Sequence, residues 1–180
     1  MPIGQISLEP LDKASFAPFG DVIDLNADWF PINQGTTRRY HALGSVQVLG
    51  EGAQGVISLA VAKRAALPVS VRMLERHPLG SQAWIPRTQA PFIVVVAPNG
   101  ADDKPDEAHL RAFYARADQG VNYHAGVWHH PLLSLAEQGE FIVVDRDGPG
   151  NNCDEADLAY VRVLEDGTLG LRGEQQEGEQ

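Results

Sequence analysis

The sequence predicts an all-β fold, a sandwich or barrel of antiparallel strands with a few short helices. Short runs rich in Val, Ile, Leu and aromatic residues follow one another along the chain. Gly, Pro, Asn or Asp lies between most neighbouring runs, and almost no stretch makes a convincing helix. That combination marks many short strands joined by tight turns.

From the N-terminus, Pro10 to Phe16 reads as a short helix or turn anchored by Leu11 and Phe16, with Pro18 and Gly20 ending it. Asp21-Val22-Ile23-Asp24-Leu25 alternates polar and apolar residues, a strand signal. Asn26 to Thr37 reads as a long loop made unusually apolar by Trp29, Phe30 and Ile32. Such a loop either covers a pocket or is pinned to the barrel wall. Strands are then expected at Arg39–Leu43, Ser45–Leu49, Gly55–Val61, Val69–Leu74, Gln82–Pro86, Phe92–Ala97, Leu110–Ala115, Val127–Leu135 and Glu140–Asp145. No repeat or linker divides the chain, so residues 1–160 are expected to form one domain. Residues 161–180 read as an extension. Val161–Leu164 and Leu169–Arg172 flank the turn Glu165-Asp166-Gly167-Thr168, and a polar, acidic tail expected to be disordered runs from Gly173 to Gln180.

Composition narrows the function. The chain has 180 residues, 43% of them hydrophobic, enough for a real core. A net charge of −10 argues against nucleic acid as a partner, because phosphate binding needs a basic surface. A few local cations can still make a pocket for a small anion. Cys153 is the one cysteine, which rules out an intrachain disulfide. With no leader pattern at Met1 to Gln5 and no apolar run near the length of a membrane span, a soluble, cytoplasmic protein is expected.

The densest chemistry lies in Gln119 to Pro131, which holds His124, His129 and His130 with Tyr123 and Trp128 and no charged residue between Gly120 and Pro131. If the segment is extended from Tyr123, then His124, Trp128 and His130 share one face and His129 points the other way. Imidazoles on an inward face suit proton transfer or metal ligation; the bland alternative is a core strand whose histidines satisfy backbone groups. The second segment is Glu75-Arg76-His77-Pro78-Leu79-Gly80-Ser81-Gln82. Glu75, His77 and Gln82 have the ligand spacing of the first cupin motif: two ligands one residue apart on one strand face, and a third brought in by a turn. His124 is placed to supply the further histidine. The expected fold is therefore a cupin-type double-stranded β-helix, a jelly-roll barrel whose mouth holds the site; a divalent metal there would sit on His77, Gln82 and His124, and the alternative is a barrel that kept its turn chemistry and lost the metal.

The wording of these segments, with Asp102-Asp103-Lys104-Pro105-Asp106, Gly120-Val121-Asn122-Tyr123-His124 and Val127-Trp128-His129-His130-Pro131, resembles the ureidoglycolate lyase family, formerly called ureidoglycolate hydrolase. Phe19-Gly20-Asp21-Val22-Ile23, Ile32-Asn33, Arg39-Tyr40-His41, Leu110-Arg111-Ala112-Phe113 and Asn152-Cys153-Asp154 match as well, so the resemblance covers roughly residues 6 to 157. It implies a cupin homodimer of allantoin degradation that splits (S)-ureidoglycolate into glyoxylate and urea, with nickel as the usual cofactor.

That reaction needs a base for the hydroxyl proton, a donor for the departing urea nitrogen and a cation for the carboxylate. The sequence offers His124 or His130 as the base and Glu75 or Tyr123 as the donor. Arg39 and Lys104 are candidate anchors, with Tyr40 and Asn33 beside the substrate. Two other readings compete: a metal cupin of different activity, such as an isomerase or dioxygenase, and a non-catalytic cupin that binds a small carboxylate.

Overall fold

The computed structural model describes residues 4–164. In chain order the strands are β1 (Gly4–Gln5), β2 (Leu8–Pro10), β3 (Gly20–Ile23), β4 (Phe30–Ile32), β5 (Thr37–Arg39), β6 (Gln54–Lys63), β7 (Val69–Arg76) and β8 (Gln82–Pro86). There follow β9 (Phe92–Ala97), β10 (Arg111–Ala115), β11 (Gly120–Tyr123), β12 (Trp128–His129), β13 (Leu133–Ser134), β14 (Gln138–Asp147) and β15 (Asp154–Leu164). One short helix, α1 (Lys13–Phe16), is started by Asp12, whose Oδ1 accepts from the amides of Ala14 and Ser15.

The larger sheet runs β1-β15-β7-β12-β9-β10-β2, with β13 also on β9; the smaller runs β3-β11-β8-β14-β6. From β6 onward the chain passes back and forth between them: β6 small, β7 large, β8 small, β9 large, then β11, β12, β14 and β15 in the same alternation. This winding is the double-stranded β-helix of a cupin-type jelly roll, as expected. The inner faces meet in a core of Phe92, Val94, Val96 and Phe113 from the large sheet with Val121, Tyr123 and Phe141 from the small one. The next residues along β9, Ile93, Val95 and Ala97, join a second cluster with Leu74 and Trp128 on the other face of the large sheet. All six residues of β9 are buried because both of its faces are covered.

Four expectations change. The segment Asn26 to Thr37 is no plain loop but most of a hairpin, β4 against β5, forming a small sheet of its own. Arg39–Leu43 and Ser45–Leu49 are not strands beyond Arg39 and the single bridge Val48–Gly80; Ala42, at φ +53°, turns the chain inside the first of them. Val127–Leu135 divides into β12 and β13 around Pro131. Finally, β15 begins at Asp154, well before Val161, its acidic residues alternating with the buried Ala156 and Leu158. The expected boundary at residue 160 thus falls inside a strand, while Leu169–Arg172 and the acidic tail lie outside the described residues.

β3 lies so close to β11 that a Cβ on Gly20 would collide with the carbonyl of Asn122, which makes glycine necessary at that position. This contact holds the end of β11, and with it Tyr123, at the rim of the barrel.

Candidate active site

The segment read as one extended strand is two strands in two different sheets. β11 ends at Tyr123; the chain turns through His124-Ala125-Gly126-Val127 and enters the large sheet as β12. Gly126 takes φ +80°, and the Val127 amide donates to the His124 carbonyl at 3.2 Å. Alternation therefore restarts at Trp128, which corrects the expected facing. His129 points into the barrel, 2% exposed, and Trp128 packs on the far side of the sheet. His124 does not share a face with Trp128.

Register brings the inward groups together, since β12 pairs with β7 so that His129 lies directly opposite Glu75. His129 Nε2 is 3.7 Å from Glu75 Oε1, and His77, just past the end of β7, sets its ring 5.2 Å from that of His129. One ligand atom each from Glu75, His77 and His129 lies within 4.8 Å of the others. Tyr123 stacks on His129 with centroids 4.2 Å apart and planes 10° from parallel.

Hydrogen bonds set both tautomers. His77 Nδ1 is 2.7 Å from the Asn152 carbonyl, and His129 Nδ1 is 2.9 Å from the Val127 carbonyl. A carbonyl only accepts, so each neutral ring carries its proton on Nδ1 and turns an Nε2 lone pair inward. Both Nε2 atoms and the Tyr123 hydroxyl are buried without a hydrogen-bond partner. Buried polar atoms are rarely left so. Two aimed lone pairs beside a carboxylate, their rings oriented by carbonyls behind them, form a donor set that could hold a divalent metal.

Burial also tunes the proton chemistry. It pulls the His129 pKa down to about 3, with the neighbouring His77 and His130 adding to the effect against the Val127 hydrogen bond, so the ring is neutral and able to ligate. Burial raises Glu75, partly opposed by His77, so its carboxyl holds a proton more readily than usual. Desolvation, then the charge of Glu75, pushes the Tyr123 phenol up, so it stays a donor.

The other candidates lie apart from this group. Gln82 is opposite Tyr123 in register, but its Oε1 accepts from Trp84 Nε1 at 2.7 Å and its Nε2 reaches Asp145 at 3.5 Å. The His124 ring leaves the expected metal set: its Nε2 is 3.3 Å from Asp21 Oδ1, facing a flank pocket of about 390 Å³ that Lys13 and His41 also line. His130 follows His129 and faces the other way, Nδ1 donating to the Pro131 carbonyl at 2.7 Å. Asn33 and Arg39 sit on the β4–β5 hairpin with Tyr40 just after it, and Lys104 lies in an exposed turn. His129 is the group the sequence reading missed. The signal was Gly126, a turn residue that resets the alternation three positions before it.

Comparison with known proteins places these residues in a family. The family model described as ureidoglycolate lyase matches residues 3–164. The ureidoglycolate lyase of Stutzerimonas stutzeri (strain A1501) is 55% identical over 151 residues, 83% of this chain and 88% of that protein. That of Azotobacter vinelandii is 52% identical over 83% of this chain and 90% of its own length. That of Pseudomonas syringae pv. syringae is 48% identical over 161 residues, 89% of this chain and 94% of that protein. Among solved structures, a mutant of the Bacillus subtilis oxalate decarboxylase has a TM-score of 0.35 at 13% identity, covering 62% of this chain and 29% of that one, a likeness too shallow to carry chemistry.

Proposed function

The chain belongs to the ureidoglycolate lyase family, and from that premise we infer that it cleaves (S)-ureidoglycolate to glyoxylate and urea. The observation that supports this chemistry is the buried meeting of Glu75, His77 Nε2, His129 Nε2 and the Tyr123 hydroxyl. In the substrate, one carbon bears a hydroxyl, a carboxylate and the ureido nitrogen. Glu75 takes the hydroxyl proton through one carboxylate oxygen as the carbonyl forms, then gives a proton to the nitrogen as the carbon–nitrogen bond breaks. No net proton is gained or lost. Tyr123, held neutral, donates a hydrogen bond to the departing ureido group. His129 and His77 keep their lone pairs on the reacting side because Val127 and Asn152 hold their Nδ1 protons.

Glu75, His77 and His129 are the residues that would hold a divalent ion, which we assign as nickel; when bound it supplies a Lewis acid for the substrate oxygens. His124, which pairs with Asp21, and His130 are thereby moved from base to supporting roles. The protein is taken to work as a cytoplasmic homodimer on a small anion, without nucleic acid or membrane as partner. None of the described helices is long and apolar enough to cross a membrane.

The test is direct: purified protein supplied with nickel or another divalent metal should release urea and glyoxylate from ureidoglycolate in equal amounts without consuming oxygen. A pure, folded preparation that yields neither product overturns the reading.

A further inference from the structure

Among the described residues, the group around Glu75, His77 and His129 includes no Lys or Arg, the cation an anionic substrate most needs. Its acids are Glu75 and Asp145, the latter within reach of Gln82, so even a divalent ion would be offset by them. The nearby guanidinium groups are engaged elsewhere. Arg76 faces out of the barrel, gripping Asp103 at 2.6 and 2.7 Å and Asp154 at 2.9 Å over the ring of Trp128. Arg146 donates to the carbonyls of Leu49, Gly148 and Pro149. Lys104 is exposed in the turn whose Asp103 holds Arg76.

A free cation does exist, but on a part of the chain that its own barrel leaves uncovered. Arg39 is exposed and makes no hydrogen bond or ion pair with a described residue; its neighbour Arg38 stacks over Trp29 at 4.7 Å. Both arginines lie on the β4–β5 arm, a two-stranded sheet whose strands pair only with each other. Such a ribbon is marginal unless something packs on it, yet Trp29 and Phe30 are each 46% exposed. The other large apolar side chains left exposed follow soon after, among them Ile57, Leu59 and Val61 along the outer face of the edge strand β6. The exposed large hydrophobics among the described residues thus fall between Leu25 and Val61. Exposed aromatics on a thin ribbon and an apolar face on an edge strand are each surfaces that a partner covers.

Charge selects that partner. The arm is basic in a chain of net charge −10, while the end of the barrel beside Glu75 carries Glu155 as well and stays acidic even with Asp154 paired to Arg76. A surface that is basic on its arm and acidic at its mouth is complementary to a copy of itself, and two-fold symmetry uses that complementarity twice. We propose that in a homodimer each copy's β4–β5 arm lies across the mouth of the other copy's barrel, where Arg39 anchors the substrate carboxylate. The barrel is then incomplete as a monomer. The guanidinium fork suits a carboxylate held bidentately. This inference rests on the lyase reading for its substrate, but not for its geometry.

Two variants mixed in one dimer decide it. Arg39→Ala should lower kcat/KM by about tenfold to a hundredfold, and His129→Ala by at least about a hundredfold. In a heterodimer isolated by two different tags, the barrel that retains His129 faces the arm that retains Arg39. That heterodimer should recover about half the wild-type rate; no recovery beyond the two parents overturns the proposal. Glu75→Gln replaces His129→Ala if the latter does not fold. Sedimentation supplies a reading independent of turnover: wild type should be a dimer, and Trp29→Glu with Phe30→Glu should be a folded monomer. A monomeric wild type, or a dimer indifferent to both charges, sinks the arm even where the lyase activity holds. Absence of ureidoglycolate cleavage in a dimer that these charges dissociate would instead retire the substrate and leave the arm standing.

Discussion

On the proposed reading, Tyr123 serves chemistry at a cost to the fold. Its ring packs among Phe16, the core and His129, but its hydroxyl is buried with no partner. An unpaired buried hydroxyl costs about 1–3 kcal/mol. Tyr123→Phe keeps the ring and removes that cost, so it should raise the urea midpoint of unfolding while lowering kcat by about a hundredfold. Loss of activity with loss of stability would mark the tyrosine as a packing residue only. The histidines make the complementary comparison: His129→Ala should cost at least about a hundredfold in kcat/KM, whereas His124→Ala should stay within about tenfold, since its ring pairs with Asp21. Glu75 and His77 were legible in the sequence because residues separated by one other share a face of an extended segment, and the chain stays close enough to that course past the end of β7 to keep them together. His129 was not, because its facing depends on a turn at Gly126 that puts it in a different sheet from Tyr123.

Between residue and fold, single buried polar groups tie elements together. Gln119, 1% exposed, precedes β11 and donates through Nε2 to the Leu11 carbonyl and to Asp24 Oδ2, each at 3.1 Å. Asp24 follows β3 and also accepts from the Asn26 amide, with Lys13 of α1 at 3.5 Å. Burial works to raise the Asp24 pKa, but the hydrogen bonds from Gln119 and Asn26 and the charge of Lys13 outweigh it, leaving the carboxyl below its usual range. Because the folded pKa is the lower one, this stabilisation is complete above the unfolded value of about 3.9 and fades as pH falls through the folded value. Asp24→Asn should therefore cost about 1–3 kcal/mol at neutral pH, and the gap from wild type should narrow in urea melts at acid pH. A gap constant across pH would mean the carboxylate charge plays no part. None of this was legible in the sequence: Asp24 was read as one more polar residue of an alternating strand, and its partners are brought to it only by tertiary pairing.

At the scale of the molecule, the all-β class was legible because alternation and turn residues are local, and the back-and-forth winding followed from ligand spacing. The pairings that wind the barrel are long-range, which is why the extent of β15 and the hairpin in the Asn26–Thr37 stretch had to come from the structure. The same limit hid the use of the apolar residues in β6. Ile57, Leu59 and Val61 fall in the strand expected at Gly55–Val61, to which the sequence reading gave no facing; in the fold they are 78%, 67% and 64% exposed, while Val56, Ala60 and Ala62 are partly buried. Polar residues would be expected on an open face of an antiparallel sheet, so the second copy proposed above would account for their chemistry by covering them. Two copies each of charge −10 repel one another, and that repulsion is long-range, screened over about 10 Å at 0.1 M salt. Apolar contact is not weakened by such screening. If β6 adds apolar area to the interface that the arm makes, added sodium chloride should tighten the dimer by screening the net repulsion, and Leu59→Glu should weaken it at every salt concentration while leaving the far-UV spectrum of the two sheets intact. Sedimentation across a salt series checks both. A dimer that loosens as salt rises, and tolerates Leu59→Glu, would place the main contact on the charged arm rather than on the apolar strand.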